Sequence, residues 1–290
     1  MTDNWTLGDT HEIIVPQGTI RYREAGSGPP VVFIHGLLTN GLLWRNVVPA
    51  LATQYRCIVP DLPLGAHALP MPPDADLTFP GLARLVGDFL AALDLHDVTL
   101  VGVDTGGALC QFIVADHGER IARLVLANCD ALDNFLPLPG RYLQWGAHVP
   151  GFVWLLSKGL RVRALYRLPF TFGWVTKRPI ACAVMDAYFA PVMTDARIRH
   201  DLGKVLRDIS PRRTLDVATR LPRFVKPVLI VWAKEDRLFP LRYGEWLHAL
   251  FPNARLVMLD DSYTFIPEDR LDALAEQIAA FVDAHVRVRA

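Results

Sequence analysis

The stretch "TLVGVDTGGALCQ", residues 99–111, decides how the rest of the chain is read. A run of β-forming and small residues, Thr99 to Val103, ends at an acid. Asp104 is followed by Thr-Gly-Gly and then by a run of helical character. A carboxylate at the end of an apolar strand is costly unless something requires it there. The spacing is also specific: Gly102-Val103-Asp104-Thr105-Gly106 puts glycine two before and two after the acid. A chain that passes from strand to helix through so tight a turn brings those positions together, and side chains there would clash. This is the spacing of a nucleophile elbow. The N–H of Thr105 then points at the same space and can hold a developing oxyanion.

Outward from the elbow, strand and helix alternate. "HEIIV" and "TIRYREAG" predict a hairpin around Pro16 to Gly18. "PVVFIHG" (30–36) is a continuous apolar run ended by glycine, as in a buried parallel strand. Residues 42–52 have helical spacing, 55–62 read as a strand and 77–95 as a helix with an apolar stripe from Leu82 to Leu93. The elbow strand (98–104) and its helix follow, then a strand at 121–130. After Asp130 the rhythm breaks. From 131 to 221 the chain is rich in Pro, Trp, Phe, Tyr and Leu, with helical spacing in "IACAVMDAYFAPVM" and "ARIRHDLGKVLRDI". The alternation then resumes: a strand at 226–233, a helix in "YGEWLHALF", a strand at 254–261 and a closing helix at 269–286. These patterns predict an α/β core of residues 1–130 and 222–290, with a mostly parallel sheet covered on both faces. A helical cap, 131–221, is inserted before the last two strands.

Composition narrows the function. The 290 residues are 51% hydrophobic, enough for a large core, and 30 basic residues balance 30 acidic ones. A neutral chain has no global field to draw in nucleic acid or an anionic membrane, although local patches remain possible. The N-terminus lacks a basic region followed by an apolar run, and no stretch is apolar for long enough to span a bilayer. Cys57, Cys110, Cys129 and Cys182 lack metal-ligand spacing and read as reduced, mostly buried residues of a cytoplasmic protein. No metal or dinucleotide motif is present, so no cofactor is expected. The expected partner is a small-molecule substrate, with neither nucleic acid nor membrane as a partner, and the expected state is a monomer or homodimer.

With "FIHG", "GVDTGG", "VWAKEDRLFP", "DDSYTFIPEDR" and a break after "LANCD", the chain resembles the α/β-hydrolase superfamily over essentially its whole length. An Asp at the elbow places it beside the haloalkane dehalogenases, fluoroacetate dehalogenases and epoxide hydrolases. The resemblance implies that Asp104 displaces halide or opens an epoxide, leaving an alkyl-enzyme ester for a His-activated water to hydrolyse. It implies Asp236 as the acid that orients the base, with Asp130 at an alternative acid position. Backbone donors around Gly36 and Leu37, together with Thr105, complete the oxyanion or halide site.

The sequence departs from that pattern. The segment after the last strand resembles D-x-G-H-F-x-x-E-x-P, and Thr264 stands where the His belongs. A neutral hydroxyl cannot take a proton from water near pH 7. Thr105 and Leu37 stand where dehalogenases often carry Trp and Asn. Tyr142, Tyr166 and Tyr188 lie in the cap, where epoxide hydrolases use tyrosine to protonate the opening oxygen. His35, His67, His148 and His200 are candidate substitutes for the missing base, though each also reads as a packing or surface residue. Three functions stay open: a hydrolase with impaired ester hydrolysis; a lyase, isomerase or cyclase using Asp104 as general acid or base; and a non-catalytic small-molecule binding protein.

Overall fold

The computed structural model describes residues 7–169 and 171–286; the N-terminal expectation therefore falls in part on residues outside that range. Among the described residues eight strands form one sheet: β1 (Asp9–Val15), β2 (Gly18–Ala25), β3 (Pro30–Ile34), β4 (Arg56–Pro60), β5 (Val98–Asp104), β6 (Ile121–Cys129), β7 (Val228–Ala233) and β8 (Ala254–Leu259). Their order is β1-β2-β4-β3-β5-β6-β7-β8. Pairings β1–β2 and β2–β4 are antiparallel, and the rest are parallel. This is the α/β-hydrolase fold. Every residue of β6 and β7 is buried, as a strand covered on both faces requires, whereas the edge strands β1 and β8 are partly exposed.

One expected helix is two pieces. Residues 42–52 form a 3₁₀ turn (Gly41–Trp44) and then a one-turn helix, α1 (Val48–Leu51). Pro49 is the reason: it has no N–H to donate to the preceding turn, and its ring would clash with that turn's carbonyl. Asn40 starts the first piece by accepting from the Leu42 N–H at 3.1 Å. The elbow helix packs on its predecessor. Helix α2 (Phe79–Ala92) is capped by Thr78, whose hydroxyl accepts from the Gly81 N–H at 3.2 Å. Helix α3 (Thr105–Asp116) is buried from Thr105 to Val114, and Phe79 meets Phe112 at 5.6 Å between ring centroids.

Between β6 and β7 the described residues form no named strand. They make α4 (Arg141–Gly146), α5 (Phe152–Gly159), α6 (Cys182–Thr194), α7 (Ala196–Asp208) and α8 (Pro211–Ala218). Asp195 and Ser210 cap α7 and α8 through their side chains. Helices α9 (Leu241–Leu250), α10 (Ile266–Asp269) and α11 (Leu271–Val286) complete the chain. Among the described residues no helix is long and apolar enough to cross a membrane. The carboxyl ends of β3, β5, β6 and β7 lie side by side in the sheet, so the segments after them converge where open α/β sheets bind ligands.

Candidate active site

Asp104 occupies a backbone conformation that L-residues avoid, φ +55° and ψ −137°. Such strain costs on the order of 1–3 kcal/mol and persists only where surrounding structure enforces it. Here the enforcement is steric. A Cβ at Gly102 would meet Cys110 Sγ at 2.5 Å, and one at Gly106 would meet the His35 carbonyl oxygen at 2.3 Å. Gly36 leaves room for the carboxyl itself: a Cβ there would sit 2.2 Å from Asp104 Oδ2.

The carboxyl is met by backbone donors from both expected places. The Leu37 N–H donates to Asp104 Oδ2 at 3.2 Å, and the Thr105 N–H is a second stabilising donor. Burial nonetheless pushes Asp104 up to about 7, against the lowering effect of these two N–H groups. Asp130 lies one link away. Its Oδ2 accepts from the Thr105 hydroxyl at 3.0 Å and its Oδ1 from the Leu136 N–H at 2.9 Å. Burial, then the charge of Asp104, holds Asp130 well above the usual carboxylate range. Both carboxyls are thus held above the usual range, and the charge on one opposes ionisation of the other.

Asp236 and Thr264 meet, as their sequence positions imply. The Thr264 hydroxyl donates to Asp236, 3.0 Å from Oδ2 and 3.1 Å from Oδ1. Asp236 also accepts from the N–H groups of Leu238 (2.7 Å) and Phe239 (3.1 Å) and from Asn128 Nδ2 (2.7 Å). Burial pushes Asp236 up to about 7 against all four donors. Thr264 is fully buried. Its neutral hydroxyl, turned to Asp236, lacks the proton affinity of an imidazole.

None of the four histidines lines the cavity over Asp104. His35 is held as a strut: Nε2 accepts from the Leu62 N–H at 2.9 Å, Nδ1 lies 3.0 Å from the Gly36 carbonyl, and burial lowers its pKa to about 4. His67 is buried against Asp201 at 3.1 Å, and His148 and His200 are exposed. Of the tyrosines, Tyr166 donates to the Leu160 carbonyl at 2.8 Å and Tyr188 is buried beside Arg45; only Tyr142 reaches the cavity over Asp104. Cys57, Cys110 and Cys129 are buried, with Cys57 pushed up to about 12 by burial, and Cys182 is exposed.

That cavity has a volume of about 90 Å³. It is well below the roughly 300 Å³ at which drug-sized pockets begin, so it suits a substrate of few heavy atoms. Asp104 and Thr105 lie at its core end with Leu37, Leu38, Leu238 and Phe265. Leu136, Tyr142, Leu143, Leu156, Leu160, Phe172 and Val175 come from the segment between β6 and β7. Among the described lining residues Asp104 and Tyr142 are the titratable ones, and none is His, Lys, Arg, Asn or Trp. No cluster that could hold a metal occurs among the described residues.

Several supporting groups were not singled out from the sequence. Asn128 ties Asp236 to β7 by also accepting from the Ala233 N–H at 2.6 Å. Its signal was a lone amide after the apolar run Leu124 to Ala127 of its strand. Gln111 donates to the Asp130 carbonyl at 2.8 Å. Asp269 accepts from the N–H groups of Tyr263, Lys177 and Arg178 at about 3 Å, and the Phe265 N–H donates to the Val175 carbonyl at 2.7 Å. The loop that carries Thr264 is thereby bonded to the cavity wall.

Comparison with known proteins agrees with the fold. A family model described as the alpha/beta hydrolase fold matches residues 29–153. Haloalkane dehalogenase 2 of Mycobacterium tuberculosis and of Mycobacterium bovis is 29% identical over 272 residues, covering 90% of this chain and 91% of theirs. A cis-3-alkyl-4-alkyloxetan-2-one decarboxylase of Shewanella oneidensis is 28% identical over 276 residues, covering 91% of this chain and 85% of its own. Among solved structures, haloalkane dehalogenase DbeA from Bradyrhizobium elkani superposes with a TM-score of 0.80 at 20% identity, covering 97% of this chain and 99% of that one. At that identity the structural likeness speaks for the fold alone.

Proposed function

We propose that the protein is an α/β-fold hydrolase that attacks a small, largely apolar electrophile of the alkyl halide or epoxide type with Asp104. The observation that carries this reading is a strained elbow carboxyl, met by two backbone N–H groups, at one end of an apolar cavity. Leu37 holds one carboxylate oxygen and the other attacks carbon. A carbon–oxygen bond forms while the bond to the leaving group breaks, and the leaving group keeps the electron pair. A halide departs as the ion. An epoxide oxygen stays tethered and takes a proton, for which Tyr142 is the phenol on the wall. The described wall offers no side-chain N–H to a departing halide, which favours the ring-opened electrophile.

The N–H groups of Leu37 and Thr105 that stabilise the free carboxylate would then face the ester carbonyl, where charge develops during hydrolysis. Hydrolysis also needs a base. The Thr264 hydroxyl, donating to Asp236, supplies none. Ester formation therefore outpaces release, and the alkylated protein accumulates. The test is intact mass spectrometry after incubation with short alkyl halides and epoxides. One adduct per chain, mapping to Asp104 and absent in Asp104→Asn, is expected. If no electrophile labels Asp104, the reading fails.

One observation favours a second reading. Asp104 pushed up to about 7 is half protonated near neutrality, as a general acid–base group should be. The decarboxylase relative from Shewanella oneidensis shows that lyase chemistry occurs among similar chains. Turnover that vanishes in Asp104→Asn, with no adduct in the wild type, would favour a lyase, isomerase or cyclase.

A further inference from the structure

The net charge of zero conceals an asymmetry. Residues 134–185 contain seven Lys and Arg and not one Asp or Glu, so this segment carries +7 and the rest of the chain −7. Lys177 and Arg178 are neutralised by Glu235 and Asp261, and Arg163 by Asp186. Arg141, Lys158, Arg161 and Arg167 make no ion pair among the described residues, and all but Arg141 are exposed.

The same segment exposes large apolar side chains: Leu138 at 74%, Trp145 at 65%, Leu155 at 63% and Trp154 at 54%. Scattered singly, such residues need no explanation. Here Trp145 lies on α4, and Trp154 and Leu155 lie together on α5. Helices α4 and α5 are neighbours, with Tyr142 and Phe152 rings 6.4 Å apart. One side of the pair, Tyr142, Leu143 and Leu156, lines the cavity, while Trp145, Trp154, Leu155 and Lys158 are exposed to solvent. The Lys158 ammonium lies 5.2 Å from the Trp154 ring centroid, so cation and indole are presented together.

We propose that α4 and α5 form a docking surface for an anionic lipid bilayer, lying in its interface and placing the cavity over Asp104 next to the acyl region. Tryptophan and leucine beside Lys158, with exposed Arg161 and Arg167 following in the chain, fit the headgroup–acyl boundary: the rings and aliphatic chains insert while the cations meet lipid phosphates. A second copy of the chain is a poor occupant, because a two-fold interface would press like charges together. A membrane-dissolved apolar compound would then reach the cavity without crossing water.

The test is co-sedimentation of the full chain with vesicles of phosphatidylcholine, with and without phosphatidylglycerol. Binding is expected to the anionic vesicles and to be lost at about 1 M NaCl, where the Debye length falls to roughly 3 Å. Replacing Lys158, Arg161 and Arg167 by Gln should weaken partitioning on the order of a hundredfold, from about fivefold per charge. Trp154→Ser with Leu155→Ser should weaken it with the charges intact, and circular dichroism checks that each exposed-site variant is folded. No binding to anionic vesicles, equal binding to neutral ones, or binding unchanged in both folded variants overturns the proposal. None of these outcomes bears on whether Asp104 is labelled.

Discussion

Replacing Asp104 by Asn should stabilise the protein, and by an amount that depends on pH. The wild-type carboxyl is pushed from its ordinary 3.8 up to about 7 by burial. Between those values the folded state keeps a proton that the unfolded chain has released, so stability falls as pH rises. The loss begins near pH 4, is complete above about pH 7 and amounts to at most about 4 kcal/mol, roughly three pH units at 1.36 kcal/mol each. Asn cannot ionise, tolerates the positive φ, and can still accept from the Leu37 N–H. Asp130 adds to the effect, since a neutral side chain at 104 removes the charge that helps hold it protonated. Urea unfolding of both proteins at a series of pH values, with equal m-values, is the assay. The variant should match the wild type near pH 4 and exceed it by up to about 4 kcal/mol near pH 8. A gain that is constant with pH, or largest in acid, would refute the assignment of a buried, reluctantly ionised carboxyl.

Other outcomes follow from the same geometry. The rate of Asp104 labelling by an epoxide, followed by mass spectrometry, should rise with pH and level off above about 7, because only the carboxylate attacks. Thr264→His, whose imidazole can donate to Asp236, should convert single labelling into multiple-turnover hydrolysis, seen as product released beyond one equivalent. Gly36→Ala puts a Cβ 2.2 Å from Asp104 Oδ2 and should slow labelling about a hundredfold by displacing the carboxyl. Arg45→Met leaves Glu268, its partner at 2.5 Å, buried and unpaired, and should cost about 3–5 kcal/mol in denaturant unfolding.

The elbow was legible because its constraint is local. Gly102 and Gly106 fall against Cys110 and the His35 carbonyl for reasons contained in one strand–turn–helix passage. The parallel strands were equally legible, since burial on both faces writes itself as unbroken apolar runs. Residues 42–52 misled because apolar spacing outweighed Pro49, whose missing N–H splits the element in two. The register of "DDSYTFIPEDR" singled out Thr264, and its hydroxyl reaches Asp236, 28 residues earlier. What could not be read were partners chosen by folding. His67 looked free to approach the site, yet it lies against Asp201, 134 residues away. Arg45 and Glu268 are separated by 223 residues.

The sequence by itself determined the order of strands and helices, the turn that strains Asp104, and the absence of a histidine at 264. Each follows from short-range sterics, apolar period or residue identity, which a linear chain carries with it. Only the tertiary structure decided which groups share a dielectric. It set Asp130 behind Thr105 and walled Asp104 with leucine and phenylalanine from the segment between β6 and β7. It also set the Lys158 ammonium over the exposed ring of Trp154. Desolvation and Coulomb interaction act through space, and the distances they depend on exist only once distant parts of the chain are packed together.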